Sequence, residues 1–277
     1  MRWLLDRETR WRVKREARAY IALLLRPRLT TRRLLIFAQG RTGSTLLESL
    51  LESTGHFDGK SEVLGALNEK VRLPISYIRG VARIFPQRNI VAHVKIYQLG
   101  RDRIEHGAEP IDPGVFLRTL HEKGWDIVAL RRRDKFDHYI SGCLARARGD
   151  YHKVDDKAED IVIEIDREDL LQGMARRAKM DEREAAALAG VPHFEIVYED
   201  DLMTPEAQQD TISRLLDHLG LEPRPAKTPL RKINSKPRSQ VIANYEDARL
   251  WAAEMQDSLE APMSSPAARR KPAARPG

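Results

Sequence analysis

The stretch LLIFAQGRTGSTLLESLLESTG, residues 34–55, decides how the chain folds. It opens on an apolar run, the mark of a strand buried on both faces. Gly-Arg-Thr-Gly-Ser-Thr follows, and then leucines at helical spacing. A strand entering a helix through a glycine loop aims backbone N–H groups at an anion. Gly40 and Gly43 let the backbone close in, and Thr42, Ser44 and Thr45 bring hydroxyls to the loop and the helix start. Arg41 adds a permanent positive charge. A nucleotide triphosphatase loop would carry lysine after its second glycine, to reach the β- and γ-phosphates. Here Gly43 is followed directly by Ser44, so the loop suits a compact anion held without a metal. A plain Gly/Ser turn between strand and helix is the competing reading.

Outward from the loop, short apolar runs alternate with helical patterns. Strands are expected at 33–39, 89–98, 125–133 and 193–200, and helices at 45–53, 113–122, 135–148, 167–189, 205–219 and 240–256. Strands separated by helices predict an α/β protein of P-loop-like, three-layer form, with a central parallel sheet flanked by helices. Ligands in such sheets bind beyond the carboxyl ends of the strands.

The net charge of +7 over 277 residues sits in the ends. Residues 1–33 carry a net +8 and residues 261–277 a net +4, leaving about −5 for residues 34–260. The body is therefore no cationic platform for nucleic acid. Three regions are expected: a basic amino-terminal segment (1–31), a catalytic-type α/β domain (32–260) and a disordered basic tail (261–277). Val13, Ala17, Tyr20, Ile21 and Leu24 share one face of a helix over 1–28, which would pack on the body or stand on anionic lipid. The longest apolar candidate, AYIALLL (19–25), is far short of the ~20 residues a span requires. With one cysteine, Cys143, the expectation is a cytoplasmic chain, peripheral at most to the inner face of a membrane. The remaining histidines show no metal-ligand spacing.

A second anion site is written in IVALRRRDKFDHYISGCLARA (127–147): a strand, three arginines, and a helix capped by Asp134. Arg133 at the strand end and Ser141 two helical turns on would grip one phosphate between them. The competing reading makes Arg131 to Arg133 surface partners of Asp134 and Asp137.

The two sites together resemble the sulfotransferases that use 3′-phosphoadenosine 5′-phosphosulfate (PAPS). GRTGSTLL (40–47) looks like their 5′-phosphosulfate loop, and RDKFDHYIS (133–141) like their 3′-phosphate motif. VYEDDLMTPEAQQDTISRLLDHLGL (197–221) is similar to their YEDL strand end and following helix, with one residue inserted. LRKINSKPRSQVIANYEDAR (230–249) is similar to the carboxyl-terminal segment of the bacterial carbohydrate branch, the trehalose and nodulation-factor kind. The resemblance spans roughly 33–256.

It implies transfer of a sulfuryl group from PAPS to a hydroxyl of a sugar or glycolipid, without metal. Arg41, where many relatives have lysine, would stabilise charge on the bridging oxygen. Tyr97 stands where the steroid and phenol branch has its histidine, so that base is not carried over. Glu62, in DGKSEVLG (58–65), matches the presumed base of the trehalose-type branch; a solvated loop carboxylate is its competing reading. Lys95 would touch the sulfuryl group or the acceptor, and His93 is expected on the opposite face, in the core. Tyr198 would approach adenine, while Arg231, Lys232 and Asn234 would fold over the donor. A kinase-like phosphotransferase and a non-catalytic membrane-surface scaffold are the alternatives.

Overall fold

The chain builds a five-stranded, wholly parallel sheet in the order β2-β3-β1-β4-β5, with helices on both faces. A computed structural model describes residues 7–25, 31–65, 68, 70–148, 161–230 and 236–260. In chain order the first elements are α1 (Arg7–Leu25), β1 (Arg33–Ala38), α2 (Ser44–Ser53), β2 (Phe57–Glu62), α3 (Pro74–Ile84) and β3 (Asn89–Lys95). Two short turns, α4 (Ile96–Leu99) and α5 (Arg101–Glu105), precede α6 (Pro113–Glu122), β4 (Asp126–Arg131) and α7 (Lys135–Arg148). The remainder is α8 (Arg167–Leu188), β5 (Phe194–Val197), α9 (Tyr198–Asp201), α10 (Pro205–His218), α11 (Arg238–Val241) and α12 (Tyr245–Glu260).

Strand alternation sorts the core into two layers. Leu34, Ile36, Val91, Val128 and Leu130 pack with Leu47, Leu50 and Leu51 of α2 and Ile212 and Leu215 of α10. Leu35, Phe37, Ala92, Val94 and Ile127 face the other way, onto α3, α6, Ala19 of α1 and Ala187 of α8. A third cluster joins α7, α8 and α12. Burying each large side chain contributes about 1.5–3 kcal/mol, so both faces of β1 hold the sheet.

β2 was not expected. Its sequence, FDGKSE, has no apolar alternation, and what holds it is polar. Glu52 accepts from the Gly59 amide at 2.8 Å and Glu48 from the Ser61 amide at 2.7 Å. Two carboxylates of α2 thus replace the apolar signal of an ordinary strand. Glu62 consequently ends an edge strand rather than lying in a loop. The strand expected at 89–98 stops at Lys95, where the chain turns into α4.

α1 packs on α3, but not by the expected face. Ala19 and Ala22 are buried, and the Tyr20 hydroxyl and Glu16 accept from the amides of Leu73 (3.0 Å) and Arg72 (2.8 Å). Val13, Ala17, Ile21 and Leu24 point outward instead. Small residues win the inner face because they let the helix backbones approach closely. Among the described residues, no helix is long and apolar enough to cross a membrane. The expected disordered tail, 261–277, and Arg231, Lys232 and Asn234 lie outside the described residues.

Candidate functional site

A cleft of about 1080 Å3 opens at the carboxyl ends of β1, β3 and β4. Single small-molecule pockets run roughly 300–1,000 Å3, so this cleft stands at the top of that range. Gly40, Arg41, Gly43, Ser44, Thr45, Glu62, Lys95, Ser141 and Tyr198 all line it. Residues spread over more than 150 positions of sequence were expected in one site, and the sheet brings them there.

The loop is held from its carbonyl side. Thr42, itself buried, donates its hydroxyl to the Gln39 carbonyl at 2.9 Å, His138 Nε2 donates to Gly40 at 2.7 Å, and Arg132 to Arg41 at 3.2 Å. With its carbonyls engaged, the loop leads into an α2 terminus that carries no side-chain cap. The amides there remain donors for an anion. Gly43 sits at φ 100°, and a Cβ on it would meet the Tyr198 ring at 2.8 Å, so only glycine fits. Arg41 adopts φ 69°, a left-handed conformation that costs an L-residue roughly 1–2 kcal/mol. The bonds to its carbonyl and from its Nε to Ser141 Oγ, at 3.4 Å, offset that cost.

At the other side of the loop stands a compact charged network. Lys95 is 4% exposed; its Nζ lies 3.0 Å from Ser44 Oγ and 3.2 Å from Glu62 Oε1. Gln98 of α4 donates to the second Glu62 oxygen at 2.6 Å and accepts from the Lys95 amide at 2.8 Å. Burial pushes the Lys95 ammonium below its usual range, against the pull of Glu62. The result is a cation–carboxylate pair beside an anion cradle. Such an arrangement can stabilise negative charge at one atom and accept a proton at a neighbouring one.

His93 does not face away from Lys95. Both belong to the same parity of β3, on the α2 side, and His93 Nε2 meets Glu48 Oε2 at 2.8 Å. It is buried, as expected, and Glu48 links it to the Ser61 amide that precedes Glu62.

The arginine run is shifted by one from expectation. Arg132, not Arg133, enters the cleft: it is 6% exposed, paired with Asp137, and stacked 4.6 Å over the Tyr198 ring. Arg131 pairs outward with Glu195, and the side chain of Arg133 is 62% exposed and paired with Asp200. Parity explains this, because Arg132 continues the face of Val128 and Leu130 while its neighbours point away. A preformed Arg133–Ser141 clamp is therefore absent. Asp134 does cap α7, accepting from the Asp137 amide at 2.8 Å.

Several contributors had no sequence signal. His138 is buried on α7, and burial together with Arg177, Arg132 and Lys135 drives its pKa well below the usual imidazole value. It stays neutral, which leaves Nε2–H to hold Gly40. Gln39 bonds Asp181 at 2.5 Å and the Arg177 carbonyl at 3.2 Å, tying the loop to α8. Nearby Glu184 is pushed up to about 8 by burial and by Asp181. No group of three or more His, Cys, Asp or Glu suited to a metal occurs among the described residues.

Fold and site thus define a parallel α/β protein with an amide-lined anion cradle at the switch between β3, β1 and β4. No family model matches the chain, and no curated protein matches it.

Proposed function

We propose that the chain is a PAPS-dependent sulfotransferase acting on a hydroxyl of a carbohydrate or glycolipid. The observation that carries this reading is the Lys95 ammonium, within 3.2 Å of both Ser44 in the loop helix and Glu62. That arrangement joins an anion cradle to a candidate base through one buried cation.

PAPS would supply the sulfuryl group, bound by the amides of Gly43 to Thr45, by Arg41 and by Lys95. Glu62 accepts the proton of the acceptor hydroxyl as its oxygen bonds to sulfur. The bond from sulfur to the 5′-phosphate oxygen breaks, leaving a sulfate ester and adenosine 3′,5′-bisphosphate. Arg41 and Lys95 stabilise the charge that appears on the departing oxygen. Catalysis of this kind rests on alignment and electrostatics. Tyr198 offers an aromatic face for the adenine. Ser141 and Arg133 would hold the 3′-phosphate once Arg133 leaves Asp200, an exposed ion pair that is weak to begin with.

Thermal shift with adenosine 3′,5′-bisphosphate against ATP-Mg tests the reading. A ligand at about 100 times its dissociation constant stabilises by ~2.7 kcal/mol. Stabilisation by the bisphosphate is expected. Stabilisation by ATP-Mg alone would overturn the reading in favour of a kinase-like phosphotransferase.

The outward stripe of Val13, Ala17, Ile21 and Leu24, flanked by Arg10, Lys14 and Arg18, supports a further role for α1. Apolar and cationic side chains side by side fit the interface of an anionic lipid surface, where a glycolipid acceptor would reside. On this reading the enzyme would work in the cytoplasm, at the inner face of the membrane.

A further inference from the structure

The cleft carries more positive charge than its loop needs. Ten Lys and Arg side chains line it against two carboxylates, Glu62 and Asp137. Lys95, Arg132 and Arg238 are matched to those two acids. Arg146, Arg176 and Arg177 are different: among the described residues, none has a carboxylate partner.

Arg146 and Arg177 meet where α7 packs on α8, and Arg176, the neighbour of Arg177, lines the same cleft. Gly142 is buried at the crossing, and a Cβ on it would lie 3.0 Å from Arg177 Nη2 and 3.6 Å from Arg146 Nη1. Two guanidinium groups thus sit over one glycine, and Arg146 Nη2 donates to the neighbouring Cys143 Sγ at 3.2 Å. Arg177 lies 5.3 Å over the Tyr139 ring, its Nη1 donates to the Gly173 carbonyl at 3.0 Å, and its buried Nε has no hydrogen-bond partner. The charges it feels most are Cys143, Arg146, Tyr139 and Arg176, and burial lowers its pKa. Arg177 is half-buried while Arg146 and Arg176 are exposed, and like charges gathered this closely are unfavourable unless an anion joins them.

Their side chains belong to α7 and α8, although the Arg177 backbone carbonyl accepts from Gln39 beside the loop. The loop enters α2, and Tyr198 covers it from that same layer. α8 packs in the opposite layer and looks into the cleft from across the strand ends. A donor on the loop with its base at Tyr198 leaves that wall to the second ligand.

We propose that Arg146, Arg176 and Arg177 form an oxyanion site for the acceptor, which carries a phosphate or sulfate ester besides the hydroxyl that is modified. This rests on the sulfuryl-transfer reading above. The substrate class is then an anionic sugar derivative rather than a neutral sugar.

Calorimetric titration of the full chain, with adenosine 3′,5′-bisphosphate present, tests it using glucose 6-phosphate and glucose as probes. The phosphorylated sugar is expected to bind at least ~10-fold tighter, as charge-assisted hydrogen bonds to a desolvated anion allow. Arg177→Gln and Arg146→Gln should each erase that preference while changing the bisphosphate's affinity by less than about twofold. Arg146 is exposed, so its variant reports even where Arg177→Gln fails to fold. Equal binding of the two sugars by the wild type would overturn the proposal, as would variants that keep the preference. Loss of bisphosphate affinity relative to adenosine 5′-monophosphate would also overturn it, by giving the cluster to the donor. A sugar-phosphate preference that depends on these arginines in a protein that ignores the bisphosphate would sink the donor reading and leave the oxyanion site standing.

Discussion

The Lys95 ammonium lies 3.2 Å from a carboxylate oxygen of Glu62, which ends the adjacent strand opposite His93, two residues before Lys95. Lys95→Ala removes the cation between loop and base and should lower kcat by ~10²–10³. Glu62→Gln keeps the shape and the Gln98 contact but loses the proposed proton acceptor, costing ~10²–10⁴. Transfer of labelled sulfate measures both, and titration with adenosine 3′,5′-bisphosphate should show Glu62→Gln binding as the wild type does. Full turnover by Glu62→Gln would remove it from the mechanism.

Arg133 and Asp200 form an exposed pair outside the cleft. If Arg133 swings to the 3′-phosphate, Asp200 competes with that phosphate. Asp200→Ala should then tighten binding of the 3′,5′-bisphosphate without affecting adenosine 5′-monophosphate. Arg133→Ala should abolish the preference between the two nucleotides. A preference unchanged in both variants would assign the 3′-phosphate elsewhere.

Glu184 gives stability a pH dependence of known sign. Its folded pKa, about 8, lies above its ordinary value of 4.5, so the folded state keeps a proton that the unfolded chain has released. Its contribution is present below about pH 4.5 and is lost as pH rises through about 8, by at most ~1.4 kcal/mol per unit. Glu184→Gln should flatten urea-denaturation midpoints across that window. His138 acts oppositely: its depressed pKa costs stability as pH falls below about 6.5, and Glu184→Gln should retain that loss. A variant with the wild-type slope between pH 5 and 8 would show that Glu184 is ionised in the fold.

Lipid contact through α1 is best tested by point substitution, because α1 is packed onto α3 and its removal would expose the core. Ile21→Asp with Leu24→Asp alters two outward residues, 55% and 81% exposed. Melting temperature should stay within a few degrees, while co-sedimentation with vesicles containing anionic lipid should fall several-fold. Equal sedimentation of both proteins would end the proposal.

Much of the site was legible because its local signals are strong. The apolar run into Gly40–Thr45, the Asp134 cap and the helix carrying Ser141 need only near neighbours to form. β2 was illegible because its stabilising partners, Glu48 and Glu52, sit on another element. Arg132 was available in principle, since the parity of Val128 and Leu130 points to it, but the eight-residue spacing to Ser141 favoured Arg133. His138 and Gln98 look like ordinary helical polar residues until their partners, Gly40 and Glu62, are brought beside them.

The sequence by itself determined the parallel α/β class and the glycine loop, through periodicity and backbone chemistry that act over a few residues. Only the tertiary structure decided which charges meet: Lys95 with Glu62, Arg132 instead of Arg133 in the cleft, and two arginines over Gly142. The reason is physical. Alternation and helical pitch are properties of neighbours in the chain, whereas ion pairing and desolvation depend on distances that exist only after the strands have packed side by side.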